Sequence, residues 1–325
     1  MDKARSGDQI EFIRSDGGIP KSPVPKIDSP KDILIRTHAA SINPIDVKKA
    51  SGASKLVFKD SFPYKIGYDC AGVVEEVGSD VIRFQAGDEV FEHGASMPSL
   101  QKTVAPKPAG LSMEDAASIP LAAMTALQAL RRYQGTLEGK TVFVPAGLSG
   151  TGLFACQLAK NVFKAGKVIT TVSTTKIPKV DELLGHGVVD ETQWPISPLM
   201  RPETGTIVTI SILTSGDVLQ NSSLMRLSPD PRDKATVPFP LRCSLNVLDR
   251  VRVLRASRWK VKYFSIFLEP NAKDLEMVKG WVENGKVRTV VGTRAHYKDV
   301  GAVRDACQKV FNGKGGIGKA VIVFD

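Results

Sequence analysis

No stretch of this 325-residue chain approaches 18 consecutive apolar residues, so no membrane-spanning helix is expected. Met1 to Ile13 mix charge and glycine without an apolar core, so no secretory leader is expected and the chain reads as cytoplasmic. The four cysteines, Cys70, Cys156, Cys243 and Cys307, are too far apart to close a zinc knuckle, which needs closely spaced thiolates. They read as reduced, mostly buried thiols. The four histidines, His38, His93, His186 and His296, include no H-x-x-x-H pair. No internal repeat is visible. A composition of 42% apolar and 24% charged residues excludes disorder. Lysine and arginine number 44 against 34 acidic residues, a formal +10. That excess permits an anionic ligand without requiring one, and a basic soluble enzyme is the simpler reading. The length gives two domains by default.

Residues 1–30 carry Pro20, Pro23, Pro25 and Pro30 and read as an extended entry segment. Short strands follow at 33–39, 72–78 and 87–91, punctuated by glycine and proline, as in a small β module reaching to about residue 110. The texture changes after Pro108. Ser112 caps an alanine-rich helical stretch to Leu130, broken by Pro120. Strands at 141–144, 167–172, 188–189 and 206–212 then alternate with helices at 152–160 and 177–184, which predicts a parallel sheet with helices on its faces. Residues 213–240 form a proline-rich excursion. A basic helix at 241–259, a strand at 261–268, helices at 271–283 and 299–311 and a strand at 318–324 close the chain.

One turn stands out. The strand Thr141–Val144 runs into Gly147-Leu148-Ser149-Gly150-Thr151-Gly152, and a helix follows at once. In that context backbone N–H groups at the helix start point at a pyrophosphate, which the helix dipole also favours. Gly147 and Gly152 fill the first and third places of G-x-G-x-x-G, while Ser149 takes the second. A plain glycine-rich turn stands beside this reading. The next strand ends at Ser173-Thr174-Thr175-Lys176 without the acidic residue that would bind a ribose 2′-hydroxyl. Ser173 and Lys176 suit a 2′-phosphate instead, so NADPH is favoured over NADH.

With these residues in place, the chain resembles the zinc-free quinone-oxidoreductase and enoyl-reductase branch of the medium-chain dehydrogenase/reductases, especially its fungal members. The resemblance rests on Ala40–Asp46 (ASINPID), Phe62–Val74 (FPYKIGYDCAGVV), Gly78–Val81, Phe84–Val90, Ile119–Leu127, the glycine turn and Gly318-Lys319. It implies an α/β protein with a GroES-like β domain at 1–120, joined by 265–325, and a Rossmann-like NADPH-binding domain at 121–264. The active site would lie between them. Zinc-dependent relatives place Cys at Asn43 and His at Tyr68, and neither Asn nor Tyr supplies the ligand such a zinc needs. No metal is therefore expected, and hydride transfer to an enone, enoyl thioester or quinone is the chemistry implied. Asn43 and Tyr68 would line the substrate end, although Asn43-Pro44 also reads as an ordinary turn and Tyr68 as a packing aromatic. Thr125 resembles a residue near the nicotinamide, and Lys319 a lysine near the cofactor phosphates.

Between Glu191 and Thr206 the chain is shorter than that family. A βα unit of the Rossmann half is missing. Either Thr206–Ile212 slides beside Thr141–Val144 or the sheet is incomplete. A reductase acting on a small molecule is the leading reading, with a catalytically impaired relative that binds a partner as the alternative. A homodimer is allowed, and no membrane partner is expected. The run Arg250, Arg252, Arg255, Arg258, Lys260 and Lys262 raises nucleic acid as a partner. A solvated basic face is preferred, with Val251, Val253 and Leu254 read as core.

Overall fold

The computed structural model describes residues 26–52, 66–94, 99–100, 103–189, 191–192, 203–210, 214–222, 225, 236–313 and 316–325. Most of 51–61, the stretch 226–235 of the proline-rich excursion and all of 193–202 lie outside them. The chain folds into two compact units. Unit one comprises Met1–Leu121, Pro270–Glu283 and Thr289–Asp325, and unit two comprises Ala122–Glu269 and Asn284–Arg288.

Unit one is built on a sheet whose long strand β1 (Asp32–Ile42) pairs antiparallel with β2 (Asp69–Val77), which pairs with β3 (Glu89–His93). The short β4 (Ser99–Leu100) also pairs with β1, and β5 (Val104–Pro106) with β3. Apolar residues alternate inward, and Ile33, Val74, Phe84, Val90 and Val104 close one core. Pro44–Ala50 is a helix, α1, with Asn43 as its N-cap, so Asn43-Pro44 is a helix start rather than a plain turn. Proline suits the first helical position because its missing N–H would have no partner there. After α2 (Met113–Ala117), the chain returns to unit one with α8 (Ala272–Glu283), β11 (Val291–His296), α9 (Val300–Phe311) and β12 (Lys319–Val323). β12 pairs antiparallel with β1 and parallel with β11, and Ile42, Val47, Ala306, Cys307 and Ile322 form a second core. β11 escaped the sequence reading because Ala295 is its one buried residue, which leaves little hydrophobic signal.

Unit two holds most of α3 (Pro120–Arg131) and the strands expected of a parallel sheet. β6 (Thr141–Val144), β7 (Lys167–Thr170) and β8 (Glu191–Thr192) pair in parallel. β8 falls a little after the expected 188–189. Between β6 and β7 lies α4 (Gly150–Gln157), continued by a π-helical turn over Leu158–Val162. The expected helix at 177–184 opens as a 3-10 turn, Thr174–Lys179, and becomes α5 only at Val180–Leu184. Pro178 accounts for this, since it cannot donate to an α-helical ladder.

β9 (Thr206–Thr209) does not slide beside β6. It pairs in parallel with β10 (Lys262–Ser265) as a separate two-stranded ladder, connected through α6 (Gly216–Gln220) and α7 (Phe239–Ser257). Among the described residues β6 has β7 as its one ladder partner, and β9 has β10. A central strand of a doubly covered sheet is ordinarily apolar and buried. Here Thr141 is exposed, Val142 and Phe143 are half-buried, and all four residues of β9 are half-buried. Val251, Val253 and Leu254 are a second correction. They lie exposed on α7 instead of in the core, because Leu245 and Ala256 define its inward face.

Candidate functional site

Unit one concentrates polar side chains in its interior. Asp69, at the start of β2, is completely buried. Its Oδ2 accepts from Ser41 Oγ (3.2 Å) and Asn43 Nδ2 (2.9 Å), and Oδ1 accepts from the Leu121 backbone N–H (3.1 Å). His93 Nδ1 stands 2.6 Å from Oδ1. Lys319 Nζ donates to Asn43 Oδ1 and lies 3.7 Å from Asp69 Oδ2. Burial alone would raise the Asp69 carboxyl. The His93 hydrogen bond and charge, then Lys319 and Asn43, outweigh it and hold the group below the ordinary carboxylate range. Burial likewise lowers the Lys319 ammonium, against the pull of Asp69 and Asp46.

Asp46, in α1, performs a structural task beside this cluster. Its Oδ2 accepts from Asn43 N (2.7 Å), and its Oδ1 accepts from Gly67 N (2.9 Å) and Tyr68 N (3.0 Å). One carboxylate thus ties the helix start to the strand entry. Burial pushes Asp46 up to about 6, with the backbone donors at Asn43 and Gly67 opposing and the Asp69 charge adding. Tyr68 stacks on His93 at 5.8 Å between ring centroids, and its Oη accepts from Lys49 Nζ at 3.0 Å.

Asn43 and Tyr68 are thus brought together as expected. The Lys319 ammonium, expected near the cofactor phosphates, is buried and bonded to Asn43 beside Asp69. Ser41, Asp46, Lys49, Asp69 and His93 belong to the same cluster without having been singled out. Asp46 and Asp69 carried a signal, since each sits in a motif already quoted, whereas a lone His93 carried none.

In unit two, Ser149 caps α4 by accepting from Gly152 N at 3.1 Å. This starts the helix at Gly150, two residues before the sequence reading placed it. The first N–H groups of the helix, those of Gly150 and Thr151, have no intrahelical acceptor to meet. The turn needs its glycines. A Cβ on Gly147 would stand 2.2 Å from Thr170 Oγ1, and one on Gly152 would stand 2.2 Å from the Ala146 carbonyl oxygen. Ala146 takes a positive φ of 52° to make the bend, a conformation non-glycine residues seldom adopt. A tight glycine turn and a helix start with free backbone N–H groups are what a pyrophosphate cradle requires, so the residues fit the group. Ser173 opens the 3-10 turn after β7 and is exposed, and Lys176 lies in that turn, half-buried. Thr125 is buried on α3. A cavity of about 450 Å3 opens where β10 ends, lined by Arg131, Arg132, Asn221, Ser265 and Ile266.

Residues 29–116 match the profile of the alcohol dehydrogenase GroES-like domain. A 2-methylene-furan-3-one reductase of Solanum lycopersicum is 38% identical over 176 residues, covering 50% of this chain and 45% of that protein. A chloroplastic NADPH-dependent alkenal/one oxidoreductase of Arabidopsis thaliana is 36% identical over 182 residues, covering 51% of this chain and 47% of that protein. The matches span a little under half the length of these two relatives. The solved quinone oxidoreductase of Coxiella burnetii superposes with a TM-score of 0.68 at 25% identity, covering 93% of each chain. A GroES-like domain followed by a Rossmann-like parallel sheet is the fold of the medium-chain dehydrogenase/reductase superfamily.

Proposed function

We propose that the chain acts, within the medium-chain dehydrogenase/reductase superfamily, as an NADPH-dependent and zinc-independent reductase of an activated C=C bond or quinone. The observation that carries this is the Asn43–Asp69–Lys319 cluster. Where zinc-dependent relatives place a thiolate and an imidazole, this chain has an amide and a phenol. The amide is held by a buried ammonium, which repels a divalent cation. Without a Lewis acid, reduction of an electron-poor double bond is the natural task. The names of the relatives, an enone reductase and an alkenal/one oxidoreductase, support the same substrate class.

The glycine turn would hold the cofactor pyrophosphate through the Gly150 and Thr151 N–H groups, Ser173 and Lys176 would take the 2′-phosphate, and Thr125 would serve the nicotinamide end. When bound, NADPH supplies hydride to the electron-poor carbon. The protein's part is to hold the carbonyl oxygen, on which negative charge develops. Asn43 has a second amide N–H for that oxygen. Lys49, donating to Tyr68, polarises the phenol and strengthens its O–H as a donor.

A second reading is favoured by the split parallel sheet. The β6 and β9 ladders meet no common strand among the described residues, as the shortfall between Glu191 and Thr206 implies. A relative with that strand missing binds cofactor weakly and serves through a partner. Titrating the purified chain with NADPH and following its oxidation by an enone separates the two. Saturable binding with slow turnover supports the reductase. Folded protein that neither binds NADPH nor oxidises it leaves the second reading.

A further inference from the structure

The helix α7 carries a surface for which the reductase chemistry has no use. Leu245 and Ala256, its buried residues, mark the inward face. At 3.6 residues per turn, Val247, Val251 and Leu254 stand on the opposite face. They are 60%, 47% and 59% exposed. Phe239 at the start of the helix and Trp259 just beyond its end are 77% and 73% exposed. An apolar stripe thus faces outward along a 19-residue helix, which spans about 28 Å. Arginines frame it. From Phe239 to Lys262 there are seven basic residues and one acidic, a net charge of +6. Arg242 is paired with Asp217 and Lys260 with Glu203. Arg250, Arg255 and Arg258, on or beside the stripe, form no ion pair among the described residues.

We propose that α7 docks the protein on an anionic lipid surface, lying in the plane of the interface. Such a helix needs an apolar stripe to enter the acyl boundary, guanidinium groups to meet the phosphates and aromatic side chains at headgroup depth. α7 has all three. A second copy on the same face would set arginine against arginine, because a two-fold contact repeats the patch on both sides. Nucleic acid would satisfy the arginines but leave Val247, Val251 and Leu254 in water. No described helix is long and apolar enough to cross a membrane, so the contact is peripheral. The inference is independent of the reductase reading.

The test is sedimentation of the full chain with phosphatidylcholine vesicles, with and without phosphatidylserine. Binding is expected only with phosphatidylserine, weakening as salt rises, and the emission of Trp259 shifts to the blue, a shift absent from Trp259→Phe. Val251→Asp with Leu254→Asp, and separately Arg255→Glu with Arg258→Glu, each lower the bound fraction at least about tenfold. All four side chains point into solvent, so thermal melts of the variants should match that of the parent. Any of four results overturns the proposal: no phosphatidylserine-dependent sedimentation at low salt, vesicle binding that survives the two aspartates, a dimer that the same variants abolish, or retention of RNA in preference to vesicles.

Discussion

The ammonium of Lys319 donates to the side-chain oxygen of Asn43, a residue 276 positions earlier in the chain. The bond orients the amide, so Asn43 turns its nitrogen toward Asp69. Removing the cation takes away a charge 3.7 Å from Asp69, a buried anion then left to His93 and three neutral donors. Lys319→Met should therefore destabilise unit one by about 3–5 kcal/mol, read as a lower urea midpoint. Adding Asp69→Asn to Lys319→Met should recover part of the loss. No recovery would show that Lys319 acts through packing instead.

Asp46 makes stability depend on acid in an unusual direction. Its folded pKa of about 6 lies above the ordinary value of 3.8, so the native state holds a proton that the unfolded chain releases. The stabilisation from that proton is full below about pH 4 and is lost as pH rises through about 6. Asp69 runs the other way: held low, it contributes above the ordinary range and loses that contribution as pH falls through its folded value. Asp46→Ala strands three buried N–H groups and should cost about 3 kcal/mol or more. The difference in melting temperature between parent and variant should narrow from pH 4 to pH 7. A constant difference would place the Asp46 pKa near its ordinary value.

Cofactor choice rests on Lys176. Lys176→Ala should weaken NADPH binding about tenfold, within the range of a charged hydrogen bond, and leave NADH unchanged. Fluorescence titration with both cofactors reads the difference. Equal weakening of the two would move the 2′-phosphate away from this lysine.

Gly152→Ala should abolish measurable cofactor binding, because the new methyl meets backbone, the Ala146 carbonyl, which cannot step aside. Gly280→Ala serves as a control. Nothing lies within 4 Å of the added Cβ there, so α8 should gain about 0.5–1 kcal/mol.

Supplying a family-like strand and helix between Glu191 and Ser197 should raise the denaturation midpoint and the turnover together. If turnover rises without a change in stability, the inserted segment is acting on the cofactor and not on the sheet.

The order of strands and helices was largely legible in the sequence, because most strands are apolar and punctuated by glycine or proline; β11, with one buried residue, was not. The glycine turn was legible for a deeper reason: the Thr170 side chain against 147 and the Ala146 carbonyl against 152 leave no room for a Cβ at either position. Asn43 and Tyr68 were found through motif position. Their surroundings were not, because His93 reaches Asp69 only through the β2–β3 pairing and Lys319 only when β12 joins β1. Whether β9 would move beside β6 was not legible, because its pairing with β10 decided it. The outward stripe of α7 was misread because helical periodicity identifies an apolar face without saying which way it points.

The pairing of β12 with β1, Ala39 opposite Val323 and Ala40 opposite Ile322, also fixes an order of events during synthesis. The strands of unit two lie between Thr141 and Ser265, so they leave the ribosome while β1 still lacks its neighbour. Nascent chains fold as their parts emerge. Unit one must hold its first strands in waiting until the closing strand arrives, with Asp69 held by Ser41, Asn43, His93 and the Leu121 N–H but still without the Lys319 ammonium. Loss of a few residues around Lys319 would then act on the first domain made and spare the second, and a chaperone would be needed longest at the N-terminal end.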